Sequence, residues 1–479
     1  MLFNTLNFSI FFSAFLFIYW FLTNRYLKLQ NLFILISSCF FYSFWDYRFL
    51  FLLFLSTLVD FYSGLMIEKV SIKNKKKWLW FSISINLGIL AVFKYYNFFI
   101  TSIIEMFSNS VIKIDTWTLQ LILPVGISFY TFHGLSYIID VYNNRIKAEK
   151  NIIDYAVFVS FFPLLVAGPI ERATHLLPQV KSKRIFSKLE FVDGLKQILW
   201  GLFKKVVIAD NCAVYANLIF NNSDDYSGSS LVLGAVLFAF QIYGDFSGYS
   251  DIAIGVAKLL GFDLIRNFSF PYFSRNIAEF WRRWHISLSS WFKDYVYIPL
   301  GGSNGSKIKQ IFNVFVIFLL SGFWHGANWT FIFWGFLNAV YFLPLLFLKT
   351  NRKHIQIVAF NSNFPSIKEV CQMLLTFCLI TFAWIFFRAR SLEHAFIFIK
   401  NIFTKSLFYL PMYIPKNTIL LIIIFMTIEW FGRKNQYAIS NLFINNSIFI
   451  RWVFYYLIIF SIFYYSGIDI SQQFIYFQF

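Results

Sequence analysis

Two histidines carry the strongest sign of chemistry in this chain. His325 lies in Ser321-Gly322-Phe323-Trp324-His325-Gly326-Ala327-Asn328-Trp329, and His285 in Phe280-Trp281-Arg282-Arg283-Trp284-His285-Ile286-Ser287-Leu288-Ser289. The chain has only six histidines, and these two sit in strongly apolar surroundings. An ionisable side chain at membrane depth is costly, so it marks a functional site by default. A free imidazole titrates near ~6.5, which suits removal of a proton from a hydroxyl at neutral pH. Gly322 and Gly326 clear space on either side of His325 for a ligand to approach the backbone, and Asn328 offers a nearby polar partner. A catalytic base and a satisfied structural histidine are the two readings that these residues leave open.

Two further clusters accompany the histidines. If residues 272–302 form one helix, Arg282, Ser289 and Lys293 share a face, while Arg283, Ser287, Ser290 and Asp294 share the next one. His285 then lies about one turn from both Arg282 and Ser289. Such a helix reads as an interfacial element whose arginines meet lipid phosphate, or as a donor-recognition element, since arginine suits phosphate groups. The second cluster is Gln241-Ile242-Tyr243-Gly244-Asp245-Phe246-Ser247-Gly248-Tyr249-Ser250-Asp251. Gly244 and Gly248 have the small-xxx-small spacing of close helix packing, and Asp245 and Asp251 are expected to line a polar cavity. Glu171-Arg172 reads as a buried charged pair.

The elements that must position these groups are membrane helices. Charged residues make up 13% of the chain, about half the share in soluble domains, and the apolar runs follow one another with short loops. The net charge of +18 comes from short basic clusters between apolar runs, as the positive-inside rule expects. That distribution points to anionic lipid and an anionic substrate, and away from nucleic acid. Cys39, Cys212, Cys371 and Cys378 form no CxxC pair, and no HExxH occurs, so neither a disulfide framework nor a metal site is indicated.

With ~20 apolar residues per span, residues 8–22 read as a retained first span and not a cleaved signal. Residues 31–67 exceed one span and read as a two-helix hairpin around Trp45-Asp46-Tyr47-Arg48. Pro163, Gly168 and Pro169 interrupt the apolar piece 161–172, which is expected to be re-entrant and buried within protein. Residues 191–220 and 231–260 cross next. The run 311–348 has basic residues at both ends, so it must go out and return, with His325 near its turning point. Residues 369–387, 418–431 and 452–466 complete the pattern, and the C-terminus is expected outside. The fold class is all-α: a polytopic membrane bundle of roughly ten to twelve spans plus re-entrant and interfacial helices, in one domain covering 1–479.

Several of these stretches form an ordered series. Leu123-Pro124-Val125-Gly126-Ile127-Ser128-Phe129 comes first, then Gly168-Pro169-Ile170-Glu171-Arg172 and Asp245-Phe246-Ser247-Gly248-Tyr249-Ser250-Asp251. Arg282-Arg283-Trp284-His285 and Trp324-His325-Gly326 follow. Across residues 120–345 this series resembles the membrane-bound O-acyltransferases, and within them the bacterial branch that includes the membrane subunits of alginate and peptidoglycan O-acetylation. The resemblance implies that His325 is the catalytic histidine and that His285 holds the second signature position. It implies a cytoplasmic thioester donor, acetyl-CoA or a carrier-bound thioester, with no tightly bound cofactor. It also implies an extracytoplasmic polysaccharide acceptor, a partner acetyltransferase, and a place in the bacterial inner (cytoplasmic) membrane. D-alanyl transfer to teichoic acid is the alternative within the same fold; a transporter without acyl chemistry is the alternative outside it. The chain ends Gln473-Phe474-Ile475-Tyr476-Phe477-Gln478-Phe479, which resembles a C-terminal tyrosine motif of the same branch. Tyr476 is accordingly a candidate acyl relay, with an aromatic interfacial anchor as the plainer reading.

Overall fold

The computed structural model describes residues 1–107, 118–119, 121–166, 168–444, 446–466 and 474–475, and among these every regular element is helical. Seven helices in the described residues are long and apolar enough to cross a membrane. They are fewer than the ten to twelve spans expected, partly because the run Leu27–Lys69 counts once and shorter apolar helices such as Leu6–Leu22 are not among the seven. The run Leu27–Lys69 has 43 residues, about 65 Å of helix at 1.5 Å per residue, twice a hydrocarbon core of ~30 Å. It breaks at Asp46, whose backbone is extended and whose side chain accepts from Arg48 N–H. The break falls in the Trp45-Asp46-Tyr47-Arg48 stretch.

The chain divides into two compact units. The first comprises residues 1–188 and 257–265. Its helices are α1 (Leu6–Phe17), α2 (Leu27–Asp46), α3 (Leu50–Lys69), α4 (Ile72–Leu90), α5 (Tyr96–Phe107), α6 (Ile127–Tyr142), α7 (Ile152–Ser160), α8 (Phe162–Leu165) and α9 (Ala173–Val180). Its interior joins aromatic packing to a few hydrogen-bonded polar groups. Phe162 packs among Phe12, Phe15 and Phe41. Asp60 accepts from Ser82 and Asn86, and a Cβ on Gly134 would collide with its carboxylate. That glycine is what lets α3 and α6 approach.

Prolines break the 161–172 segment as expected, leaving, among its described residues, only the short α8 helical. Its buried backbone still needs partners. The Phe162 N–H donates to Ser38 Oγ, and the Glu171 N–H to His133 Nε2. Glu171 is fully buried; one carboxylate oxygen accepts from Ile265 N–H at 2.6 Å, and the other lies 2.8 Å from His175 Nδ1. Glu171 thus has His175 as an ion-pair partner, and Arg172 beside it is buried and donates to the Ile170 carbonyl.

The second unit comprises residues 189–256 and 266–479. Its helices are α10 (Lys188–Leu202), α11 (Asp210–Asn221), α12 (Gly228–Leu259), α13 (Ile277–Arg283), α14 (Ile286–Phe292), α15 (Lys307–His325), α16 (Trp329–Phe347), α17 (Ile367–Arg388), α18 (Leu392–Ile402), α19 (Lys416–Gly432) and α20 (Ile448–Ser466). Lys188 at the start of α10 and the last turn of α12, from Ala257, belong to the first unit. Side-chain caps start several of these helices. Ser306, Asn328 and Ser391 each accept a first-turn N–H, and Ser366 forms a reciprocal capping box with Glu369.

Glycines decide how closely α12 packs on α10. A Cβ on Gly248 would stand 2.8 Å from the Gly201 carbonyl oxygen, and one on Gly201 would stand 2.6 Å from that of Gly248. Gly255 meets Gly194 in the same way. The small-residue stripe of α12 is therefore a packing surface against α10, where absent side chains allow backbone contact.

Candidate active site

α15 and α16 form the expected hairpin, and His325 is the last residue of α15. A Cβ on Gly322 would meet the Phe331 carbonyl oxygen at 2.2 Å, and one on Gly335 would meet that of Phe318 at 2.3 Å. Only glycine at both positions lets the two helices close on each other. Asn328 makes the turn: its Oδ1 accepts from Thr330 N–H, and its amide donates to the Arg390 carbonyl, both at 3.0 Å. Asn328 thus caps α16 and ties the hairpin to the end of α17.

His325 is 4% exposed and stands in an aromatic box. The rings of Trp334 and Phe387 each lie 5.2 Å from its imidazole centroid, and Trp324 lies at 4.9 Å. Trp384 stacks on Trp334 behind them. Aromatic walls exclude water, and polar interactions strengthen in such low-dielectric surroundings.

His285 reaches the same box from another element, and here the structure corrects the sequence. Residues 272–302 are not one helix: α13 ends at Arg283, Trp284 is extended, and His285 adopts a left-handed conformation at φ 45°, ψ 55°. The two arginine faces expected of a continuous helix therefore do not exist. The residues around the break are pinned by residues 267–269, where Asn267 O accepts from Ile286 N–H and Ser269 N–H donates to Arg283 O. A non-glycine residue at positive φ costs about 1–3 kcal/mol and persists only where its surroundings over-determine it; such residues cluster at functional sites. The strain turns the His285 ring inward, 4.6 Å from Phe246, 5.7 Å from Trp324 and 6.3 Å from His325. Both its ring nitrogens are buried and, among the described residues, have no hydrogen-bond partner. A buried polar atom without a partner forfeits its hydration, and a substrate group would restore what is missing. Two imidazoles in a dry box can take a proton from a hydroxyl and hold a polar group beside it.

The remaining expected residues are distributed as follows. Arg283 is buried and donates to Glu279, Ser269 O and Gln356 O. Arg282 is exposed and donates to the Asn351 and His354 carbonyls. Asp245 and Asp251 each meet a lysine. Lys205 Nζ lies 2.8 Å from Asp245 and 2.8 Å from Asp210, and Lys204 Nζ lies 2.5 Å from Asp251. Gln197 donates to the second oxygen of Asp251, and Tyr243 donates to Glu429 at 2.6 Å. Tyr476 lies outside the described residues.

Lys204 and Lys205 are hidden in the sequence because they interrupt the run 191–220, which reads as a plain span. They occupy a π-helical turn, Phe203–Ala209, a local widening that often marks functional sites. The available signal was two lysines in apolar sequence with two aspartates on a neighbouring segment. Trp384 and Phe387 were missed because they lie beyond residue 345, the end of the motif series.

The chain matches the family model described as MBOAT, membrane-bound O-acyltransferase family, over residues 144–389. It is 38% identical over 388 residues to a Pseudomonas aeruginosa protein described as probable alginate O-acetylase AlgI, covering 81% of this chain and 71% of that one. It is 37% identical over 426 residues to the peptidoglycan O-acetyltransferase of Helicobacter pylori, covering 82% and 78%. Similarity to the teichoic acid D-alanyltransferase of Bacillus subtilis is 29% over 292 residues, covering 57% and 71%.

Proposed function

The chain belongs to the membrane-bound O-acyltransferase family, and from that premise we propose that it moves an acetyl group from acetyl-CoA on the cytoplasmic side toward hydroxyls of an extracytoplasmic polysaccharide. It is an O-acetyltransferase of the multi-pass membrane class. The acceptor class follows from its relatives, whose names cite alginate and peptidoglycan. Acetyl transfer is preferred to D-alanyl transfer because similarity to the D-alanyltransferase is lower and spans less of the chain.

The observation that carries the mechanism is the placing of His325 at a hairpin turn within an aromatic box, with the unpartnered imidazole of His285 6.3 Å away. In the proposed reaction His325 takes the proton of the attacking hydroxyl as its oxygen bonds to the thioester carbonyl carbon. The carbon–sulfur bond then breaks, and the CoA thiolate recovers the proton from the imidazolium. His285 holds the carbonyl or the hydroxyl by hydrogen bonding. Arg282, exposed at the end of α13, has N–H groups beyond the two that it gives to carbonyls and suits the donor's phosphates. The enzyme sits in the bacterial cytoplasmic membrane with roughly ten to twelve spans: the long run Leu27–Lys69 counts twice, and shorter apolar helices such as Leu6–Leu22 add to the seven. Handover runs through Tyr476, which takes the acetyl group as a phenolic ester and passes it to a partner transferase outside.

The test is transfer of label from radiolabelled acetyl-CoA by the purified protein in lipid bilayers. Label should reach the protein or the polymer with the native chain and fail to do so with His325→Ala of unchanged folding. Normal transfer by that variant overturns the mechanism. In cells, normal polymer acetylation by Tyr476→Phe overturns the handover.

A further inference from the structure

The end of the chain is fastened inside the second unit by its main chain. Ile475 N–H donates to Asp245 Oδ2 at 2.7 Å, and Phe474 and Ile475 are both fully buried. The Phe474 ring lies 4.2 Å from that of Tyr249, one turn along α12 from Asp245. The other oxygen of Asp245 faces Lys205, which the π-helical turn also brings against Asp210.

We propose that Asp245, held in place by Lys205, is a docking site for the chain's own C-terminal tail. A buried carboxylate is stable only where its oxygens are paired. One is paired within the bundle by the lysine, and the second is paired by an N–H that arrives from 230 residues away in the chain. A charge-assisted bond from a main-chain N–H is a strong tie. Because the donor belongs to the backbone, it fixes the main chain at position 475 whatever side chain that position carries, while the Phe474 ring packs against Tyr249. The dock also adjoins the histidines: Phe246, next to Asp245 on α12, is the residue whose ring meets His285 at 4.6 Å.

The dock deepens the handover reading and rests on it only for its purpose, since it would hold the chain one residue before Tyr476. Asp245 is then a positioning residue, acting through the tail.

The test introduces Phe474→Cys into a chain whose four native cysteines are replaced by alanine or serine, and follows labelling of the new thiol by maleimide in bilayers. Labelling should be slow in this background, at least tenfold faster when Ile475→Pro removes the donor, and equally fast with Asp245→Ala. It should be slow again with Asp245→Asn, which keeps an oxygen acceptor. Ile475→Pro alters only the chain end, so it carries the test even if Asp245→Ala does not fold. Equal labelling at position 474 with and without Ile475→Pro overturns the dock. Normal polymer acetylation by Tyr476→Phe, with the thiol at position 474 still protected, overturns the handover and leaves the dock standing.

Discussion

The imidazoles of His285 and His325 lie 6.3 Å apart, centroid to centroid and tilted by 51°, with Trp324 packed against both. Neither element alone creates this pairing. His325 arrives at the end of a helix whose hairpin partner is pressed close by Gly322 and Gly335. His285 arrives through a left-handed residue between two short helices. The strain at His285 and its unpartnered nitrogens point the same way, toward a ring held in place for a ligand.

Replacement of His325 by alanine should lower turnover by about 10²–10⁴, the usual worth of general-base help, with thermal stability in detergent little changed. His285 offers a finer test. At positive φ, His285→Gly should be more stable than His285→Ala by about 1–2 kcal/mol, yet both should lose activity. Equal activity of His285→Gly and the native enzyme would make this histidine structural.

Gly322→Ala should weaken the hairpin, because the new methyl would meet the Phe331 carbonyl oxygen at 2.2 Å. Overpacking of this kind costs about 1–3 kcal/mol. Gly88→Ala is the control: a Cβ there has nothing within 4 Å, so it should be neutral or stabilising by up to ~1 kcal/mol. Thermal melts of the two variants should move in opposite directions, or only the first should move.

Lys204→Met should destabilise by up to about 3 kcal/mol, the low end for a buried pair, since it leaves the partly buried Asp251 without its cation. Adding Asp251→Leu should recover most of the loss. A double-mutant cycle read by denaturation would show strong coupling between the two positions, and additive losses would count against the pair.

His175, on the short helix α9, should give a pH signature. Its hydrogen bond to Glu171 raises its pKa above the ordinary 6.5. A raised pKa in the folded state contributes stability that is complete below the unfolded value and lost as pH rises through the folded one. The stability gap between the native chain and His175→Gln should therefore be largest below about pH 6.5 and shrink above it. Glu171→Gln should flatten the profile; a gap that widens with pH would contradict it.

Hydropathy and the placing of basic clusters were enough to establish a helical membrane protein, the hairpin of residues 311–348 and the position of His325 near its turn. These are properties of neighbouring residues, and helix formation and membrane burial respond to local pattern. The ordered motifs were enough for the family. Tertiary structure decided the rest. The Lys204–Asp251 and Lys205–Asp245 pairs join segments some forty residues apart, and no periodicity in either one names its partner. Trp384 and Phe387 enter the His325 box from a helix beyond the motif series. The break at His285 overrides a sequence that could run on as a helix, because hydrogen bonds from residues 267–269 stabilise the strained turn. Local pattern chooses the elements; the burial of charges and polar backbone, which must find partners wherever the chain brings them, chooses how those elements meet.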